Sequence, residues 1–80
     1  MARVTLRYWA AAKAAAGTGQ EQLEAATLDE LVLRAGALHG PALRAVLSRC
    51  AFLVDGVRAH GHAPLESGAT VEALPPFAGG

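Results

Sequence analysis

Apolar and polar residues alternate along the first segment of the chain. Val4, Leu6 and Tyr8 are each separated by one polar residue. A period of two is typical of a strand with one buried face, so the segment predicts a first β-strand. Trp9 is next in the alternation, so we expect it on the opposite face from Tyr8, where it could anchor a partner.

The next two segments predict a short helix and a second strand. Ala10–Ala16 is rich in alanine, the strongest helix former, and Gly17 is a typical helix end. Gln20–Ala25 reads as a strand whose only large apolar residue is Leu23. A strand with so little apolar surface is expected at a sheet edge or in a half-exposed position.

The clearest helix begins at Thr27. Thr27 and Glu30 have the spacing of a capping box, in which side chains satisfy the first backbone N–H groups. Apolar residues then recur every three or four positions, which indicates one buried face. The predicted face consists of Leu28, Leu31, Val32, Ala35 and Leu38.

A second helix is predicted directly after this one. Gly40 and Pro41 end the first helix, and proline is tolerated in a first helical turn, so Pro41–Ser48 can form a short helix of its own. Its inward-facing residues are expected to be Leu43, Val46 and Leu47.

The C-terminal third predicts three more strands. Ala51–Val54 and Val57–Ala59 flank Asp55-Gly56, a dipeptide suited to the type I′ turn of a hairpin. His60–Gly68 reads as a loop and Thr70–Leu74 as the last strand.

Pro75 and Pro76 end the last strand because neither residue can donate to a strand ladder. The order β-α-β-α-α-β-β-β predicts an α+β fold, with helices on one face of a mixed sheet. We expect one domain over residues 1–77 and a flexible tail over residues 78–80.

The composition narrows the functional class. A chain of 80 residues forms one domain with a thin core and has no room for a deep active-site cleft. This favours a binding or carrier module over a self-sufficient enzyme. Seven basic residues balance seven acidic ones, without a basic block, so neither nucleic acid nor a membrane surface is an expected partner.

The compartment is predicted from two further features. A single cysteine cannot form an internal disulfide, which fits a reducing environment. No apolar run approaches the ~20 residues of a transmembrane helix. We therefore expect a cytoplasmic protein.

The C-terminal segment carries the candidate chemistry. Phe77–Gly80, here called the stalk, would reach ~13 Å when extended. Its last two residues, Gly79 and Gly80, have no side chain, so the segment could enter a narrow pocket of another protein. The terminal carboxylate is ionised at neutral pH and is a competent nucleophile toward the α-phosphate of ATP.

These features resemble the MoaD/ThiS family of ubiquitin-like sulfur carriers, and within it most closely the small subunits of molybdopterin synthase. The resemblance spans the whole chain, and the C-terminal motif is its specific part. The matching stretches are Val4–Lys13, Ala16-Gly17, Val54–Gly56, Leu65 with Gly68, and Val71–Gly80.

The resemblance implies a ubiquitin-like β-grasp fold with a flexible Gly-Gly tail. It also implies that an E1-like adenylyltransferase activates Gly80 with ATP and that a sulfur-donor enzyme converts it to a thiocarboxylate. The sulfur then goes to a pterin precursor in the large subunit of molybdopterin synthase, which supplies the acid/base residues. The chain itself would bind no cofactor.

The site residues divide into two groups. Gly80 is the reacting residue, and Gly79 keeps the stalk thin. The expected partner-binding residues are Leu74, Pro75, Pro76, Phe77, Ala78 and Trp9.

Three alternatives remain open. The same stalk could serve thiamin thiazole, cysteine or tRNA-thiolation pathways. The chain could be a ubiquitin-like modifier conjugated to lysines. It could also be a β-grasp interaction domain whose Gly-Gly end is incidental.

Two other features have plain interpretations. His60 and His62 have no nearby third ligand, so a solvated loop is predicted and no metal site. Cys50 has no adjacent histidine or helix start to activate it, so a buried structural thiol is predicted.

Overall fold

The computed structural model describes residues 1–76, which form five strands and three helices. The elements are β1 (Ala2–Tyr8), α1 (Ala10–Ala16), β2 (Gln20–Ala25), α2 (Leu28–His39), α3 (Pro41–Leu47), β3 (Ala51–Val54), β4 (Val57–Ala59) and β5 (Thr70–Leu74). Their order confirms the predicted sequence of elements, and each predicted segment lies within about two residues of the observed one.

The strands form one mixed sheet in the order β2-β1-β5-β3-β4. β5 lies at the centre and pairs parallel with β1, with Leu6 opposite Val71, while the other pairs are antiparallel. β2 is an edge strand, as predicted from its single large apolar residue.

The core lies between the helices and one face of this sheet. In β1 the alternate residues Val4, Leu6 and Tyr8 are at most 2% exposed. Val71 and Ala73 of β5 are fully buried on the same face, so the period-two pattern is confirmed in the central strands. The other side of the sheet, here called the open face, carries polar residues such as Thr5 and Arg7.

Local signals account for the turns. Gly17 ends α1 in the left-handed region at φ 74°, where glycine has no steric cost. Asp55 and Gly56 both have positive φ angles, 50° and 83°, which confirms the predicted type I′ turn.

The start of α2 is capped from both sides. Thr27 Oγ1 accepts a hydrogen bond from the Glu30 N–H at 3.3 Å. The Glu30 carboxylate accepts from the Ala26 N–H at 2.5 Å, one residue earlier than in an ordinary capping box. That hydrogen bond, together with the charge of Arg34, holds the pKa of Glu30 below its usual value.

The predicted buried face of α2 needs one correction. Leu28, Leu31 and Ala35 are buried and Val32 is half-buried, but Leu38 is 60% exposed. The last turn of α2 packs near the edge strand β2, beyond which no further strand covers it. His39 turns toward the sheet instead, where it contacts Glu21.

The short helix α3 follows the prediction more closely. Leu43 and Leu47 are buried, whereas Val46 is half-buried. None of the helices within residues 1–76 is long and apolar enough to span a membrane.

Candidate functional site

The candidate site begins where β5 ends. Leu74 is half-buried, Pro75 is buried and Pro76 is exposed; these three residues are here called the stalk base. Pro75 is therefore covered by the domain itself and has little surface to offer a partner. Phe77, Ala78, Gly79 and Gly80 lie outside the described residues, so their predicted roles stay predictions.

Trp9 lies at the same end of the sheet as the stalk base. β1 and β5 run parallel, so their carboxyl ends meet at one edge. The Trp9 N–H donates to the Ala73 carbonyl at 3.3 Å, which continues the pairing just past β1. The structure thus brings together Trp9 and the stalk base, two parts of the predicted site that are distant in sequence.

The indole ring of Trp9 is held on the open face of the sheet. Its Nε1 donates to Glu72 Oε2 at 3.0 Å, and the Arg7 guanidinium lies 4.9 Å from the ring centroid. Arg7 and Glu72 are themselves 4.0 Å apart. These contacts orient a side chain that remains 40% exposed, and they confirm that Trp9 and Tyr8 lie on opposite faces.

Two arginines flank the stalk base on the β3–β4 side. Arg49 and Arg58 line a shallow depression there, together with apolar residues and Cys50. Both arginines are exposed, so the charge next to the stalk base is positive.

Cys50 does not have the surroundings of a nucleophile. Its thiol is half-buried and donates a weak hydrogen bond to the Val46 carbonyl at 3.4 Å. Burial raises the pKa of the Cys50 thiol to about 11, so the thiol is protonated at neutral pH. This agrees with the predicted structural role.

The histidine-containing loop caps α2. The Leu28 and Asp29 N–H groups donate to the Ala63 and Gly61 carbonyls, both at 3.0 Å. His62 Nδ1 lies 3.4 Å from Asp29 Oδ2 at an exposed position. Within residues 1–76 no group of three or more His, Cys, Asp or Glu side chains could hold a metal ion.

Tyr8, Glu21 and His39 form a polar cluster that was not predicted from the sequence. Glu21 Oε2 accepts from the Tyr8 hydroxyl at 2.5 Å and lies 2.6 Å from His39 Nε2. The two rings meet edge to face at 6.0 Å. Burial and the Glu21 carboxylate raise the pKa of Tyr8 well above its usual value. The alternation in β2 was the available signal, because it places Glu21 on the same face as Leu23.

The fold and the stalk base define a class of protein. A five-stranded mixed sheet with a helical layer, whose central strand leads directly into the C-terminal segment, is a ubiquitin-like β-grasp. The family model of the ThiS family matches residues 6–80. The chain therefore belongs to this family, the MoaD/ThiS group of small ubiquitin-like sulfur carriers.

Solved structures support the same assignment of fold. Small archaeal modifier protein 1 (SAMP1) from Methanosarcina acetivorans has a TM-score of 0.87 at 23% identity, over 100% of this chain and 98% of its own. SAMP1 from Haloferax volcanii has a TM-score of 0.87 at 19% identity, over 98% of this chain and 99% of its own. At these identities the likeness shows the fold alone.

A third similar structure is a complex. It contains subunits 1 and 2 of the molybdopterin-converting factor from Helicobacter pylori, with a TM-score of 0.70 and 26% identity. The match covers 98% of this chain and 99% of the matched chain. No curated protein matches this chain.

Proposed function

We propose that this protein carries sulfur on Gly80 as the small subunit of a molybdopterin synthase. One observation carries the proposal. The central strand β5 leads through the stalk base into the C-terminal segment Phe77–Gly80, so the rigid sheet fixes the point from which the stalk starts. A stalk of four residues then presents the carboxylate up to ~13 Å away.

The chemistry starts at the carboxylate. One oxygen of Gly80 attacks the α-phosphate of ATP in an E1-like adenylyltransferase, and pyrophosphate leaves. Hydrosulfide (HS⁻) released by a donor enzyme attacks the carbonyl carbon of the resulting acyl adenylate and displaces AMP. One carboxylate oxygen leaves with AMP and sulfur takes its place, which gives the thiocarboxylate. ATP is bound by the partner, and this chain needs no cofactor of its own.

The delivery step needs a second protein. The H. pylori structure pairs subunit 1 of the molybdopterin-converting factor with subunit 2, which supports a large-subunit partner for this chain. In the complex that we propose for this chain, the large subunit would hold the pterin precursor and supply the acid and base groups. The carrier contributes the sulfur, the stalk and a docking surface.

The docking surface that we propose surrounds the stalk base. Trp9 and Leu74 lie at this end of the sheet, and Phe77 directly follows Pro76. Because aromatic residues dominate interface energies, Phe77→Ala should weaken large-subunit binding by about 1–2 kcal/mol. Its melting temperature should stay close to that of the wild type. A domain that unfolds while keeping its affinity would show that Phe77 belongs to the core.

The central test acts on the stalk. Deleting Gly80 moves the carboxylate back by ~3.3 Å, more than an in-line attack tolerates because the reacting atoms must lie ~3–3.5 Å apart. Gly79→Val keeps the carboxylate but thickens the stalk and restricts its dihedral angles. Both variants should fold normally, with ATP–pyrophosphate exchange by the E1-like enzyme lost.

The readings of this assay separate the candidate functions. Wild-type exchange in the Gly80 deletion would rule out a sulfur carrier. Exchange by the wild type, followed by covalent attachment to lysines of other proteins, would indicate a modifier. A thiocarboxylated chain that the large subunit cannot use for dithiolene formation would assign the carrier to another sulfur pathway.

A further inference from the structure

Two adjoining depressions lie on the β3–β4 side of the stalk base. The first is lined by the stalk base together with Arg49 and Arg58. The second is lined by residues of β3, β4 and the start of α2, and by His60 and Gly61 of the following loop. Both are lined by Cys50, Ala51 and Arg58, and the two depressions are here together called the arginine groove.

The size of the groove suits part of another protein. The first depression has a volume of about 390 Å³ and the second a volume of about 280 Å³. Small-molecule pockets measure ~300–1,000 Å³, so the first depression is at the low end of that range and the second is just below it. Both halves are open to solvent, so they can accept a few side chains of an extended segment but cannot enclose a ligand.

The part of the groove next to the stalk base carries only positive charge. The first depression has no acidic residue in its lining. Within residues 1–76 Arg49 and Arg58 make no ion pair, whereas Arg7 and Arg34 each lie beside a glutamate. The single carboxylate that lines the groove is Asp29, in the second depression, and it faces His62.

We propose that the arginine groove binds an acidic, extended segment of the large subunit that receives the stalk; this rests on the proposed function. Two guanidinium groups beside the stalk base can each pair with a carboxylate in bidentate geometry. Opposite charges at an interface steer the encounter and fix its register. The groove would thus align the carrier before the stalk enters the pocket.

The test measures binding of the large subunit to charge-reversed carriers. Arg49→Glu and Arg58→Glu should each raise the Kd roughly tenfold, and they should flatten its dependence on salt. The matched control is Arg44→Glu. Arg44 is also exposed, makes no ion pair within residues 1–76 and lines neither depression. The Kd of the Arg44→Glu variant for the large subunit should remain within about twofold of that of the wild type.

A second arm tests whether the arginines instead hold the chain's own terminal carboxylate. The same variants are compared in full-length chains whose Gly80 is amidated and therefore neutral. If the partner is acidic, charge reversal weakens binding in both forms. Loss of the effect on amidation would overturn the proposal in favour of an intramolecular contact.

Binding and exchange assays distinguish failure of the arginine groove from failure of the proposed function. Wild-type affinity in the Arg49→Glu and Arg58→Glu variants, with normal sulfur transfer, would overturn the groove and leave the proposed function intact. A wild-type chain that neither binds the large subunit nor supports pyrophosphate exchange would overturn both. A melting curve is measured for every variant. Because Arg49 and Arg58 are both exposed, the melting temperatures of their variants should equal that of the wild type.

Discussion

The two flanks of the sheet differ in how their polar groups are used. On the β2 side, Tyr8, Glu21 and His39 satisfy one another and join β1, β2 and α2. On the β3–β4 side, Arg49 and Arg58 line a groove and make no ion pair within residues 1–76. On the β2 side these polar groups bind one another, whereas on the β3–β4 side the two arginines are available to a partner. The Tyr8–Glu21–His39 cluster thus serves stability, whereas the two arginines proposed for recognition lie on the other side of β5, the strand that carries the stalk.

The largest expected effect concerns the core beneath both flanks. Leu31 is fully buried, so Leu31→Ala should lower the free energy of unfolding by about 2–5 kcal/mol. Leu38 is the matched control, because it is a leucine on the same helix but is 60% exposed. Leu38→Ala should change stability by less than about 0.5 kcal/mol. Urea titrations followed by circular dichroism would measure both, and equal losses would contradict the position of α2.

The second prediction sets one flank against the other. Glu21→Ala removes the acceptor shared by two partly buried side chains and should cost about 1–3 kcal/mol. Arg58→Ala on the opposite flank should cost less than about 0.5 kcal/mol. Glu21→Gln keeps an acceptor, so its loss should be the smaller of the two Glu21 variants. Comparable costs at Glu21 and Arg58 would remove the contrast between the flanks.

The third prediction concerns alkaline pH. Burial, together with the Glu21 carboxylate, raises the folded-state pKa of Tyr8 above its ordinary value of 10.0. Tyr8 therefore loses its proton first in the unfolded chain, so its contribution to stability is intact below about pH 10 and falls as the pH rises above that value. The thiol of Cys50, with its pKa raised to about 11, acts in the same direction.

The measurement is specific because the chain has a single tyrosine. Tyrosinate absorbance should rise together with the loss of circular dichroism, and Cys50→Ala should leave that coincidence in place. Tyr8→Phe should make the alkaline loss of stability shallower. A tyrosine that ionises near pH 10 in a folded domain would contradict the cluster.

The smallest effect is expected at Trp9. Trp9→Phe keeps an aromatic ring near Arg7 but removes the exposed hydrogen bond to Glu72. Stability should change by less than about 1 kcal/mol, because that bond competes with water. Large-subunit binding should weaken. Because the variant lacks the chain's single tryptophan, binding is measured by calorimetry and not by tryptophan fluorescence. A large loss of stability with unchanged affinity would make Trp9 a structural residue.

Most of the fold could be predicted from local patterns. The alternation in β1, the Thr27–Glu30 pair and the Asp55-Gly56 turn each specify their own conformation, so tertiary context only confirmed them. Leu38 was predicted wrongly because helical periodicity shows which residues share a face but not where the sheet beneath that face ends. The ubiquitin-like fold and the family followed from the resemblance and are confirmed.

The site could be predicted only in part. The meeting of Trp9 with the stalk base depends on parallel pairing of the first and last strands, which local pattern does not specify. The polar cluster and the arginine groove each combine residues from three or more elements. Such sites form only when the topology brings these elements together. Local sequence pattern can therefore predict at most one residue of each site, such as the inward-facing Glu21.

The central position of β5 also bears on how the molecule folds. Thr5 of β1 pairs with Thr70 of β5, which lies 65 positions later in the sequence (70 − 5). This contact closes most of the chain into a loop. β1–β2 and β3–β4 can each pair over short distances, but nothing joins the two halves of the sheet until β5 docks between them. Contacts between residues so far apart in sequence slow the folding of a domain. Amide protons of β5 should then exchange with solvent only through global unfolding, so the stalk keeps a fixed origin for as long as the domain stays folded.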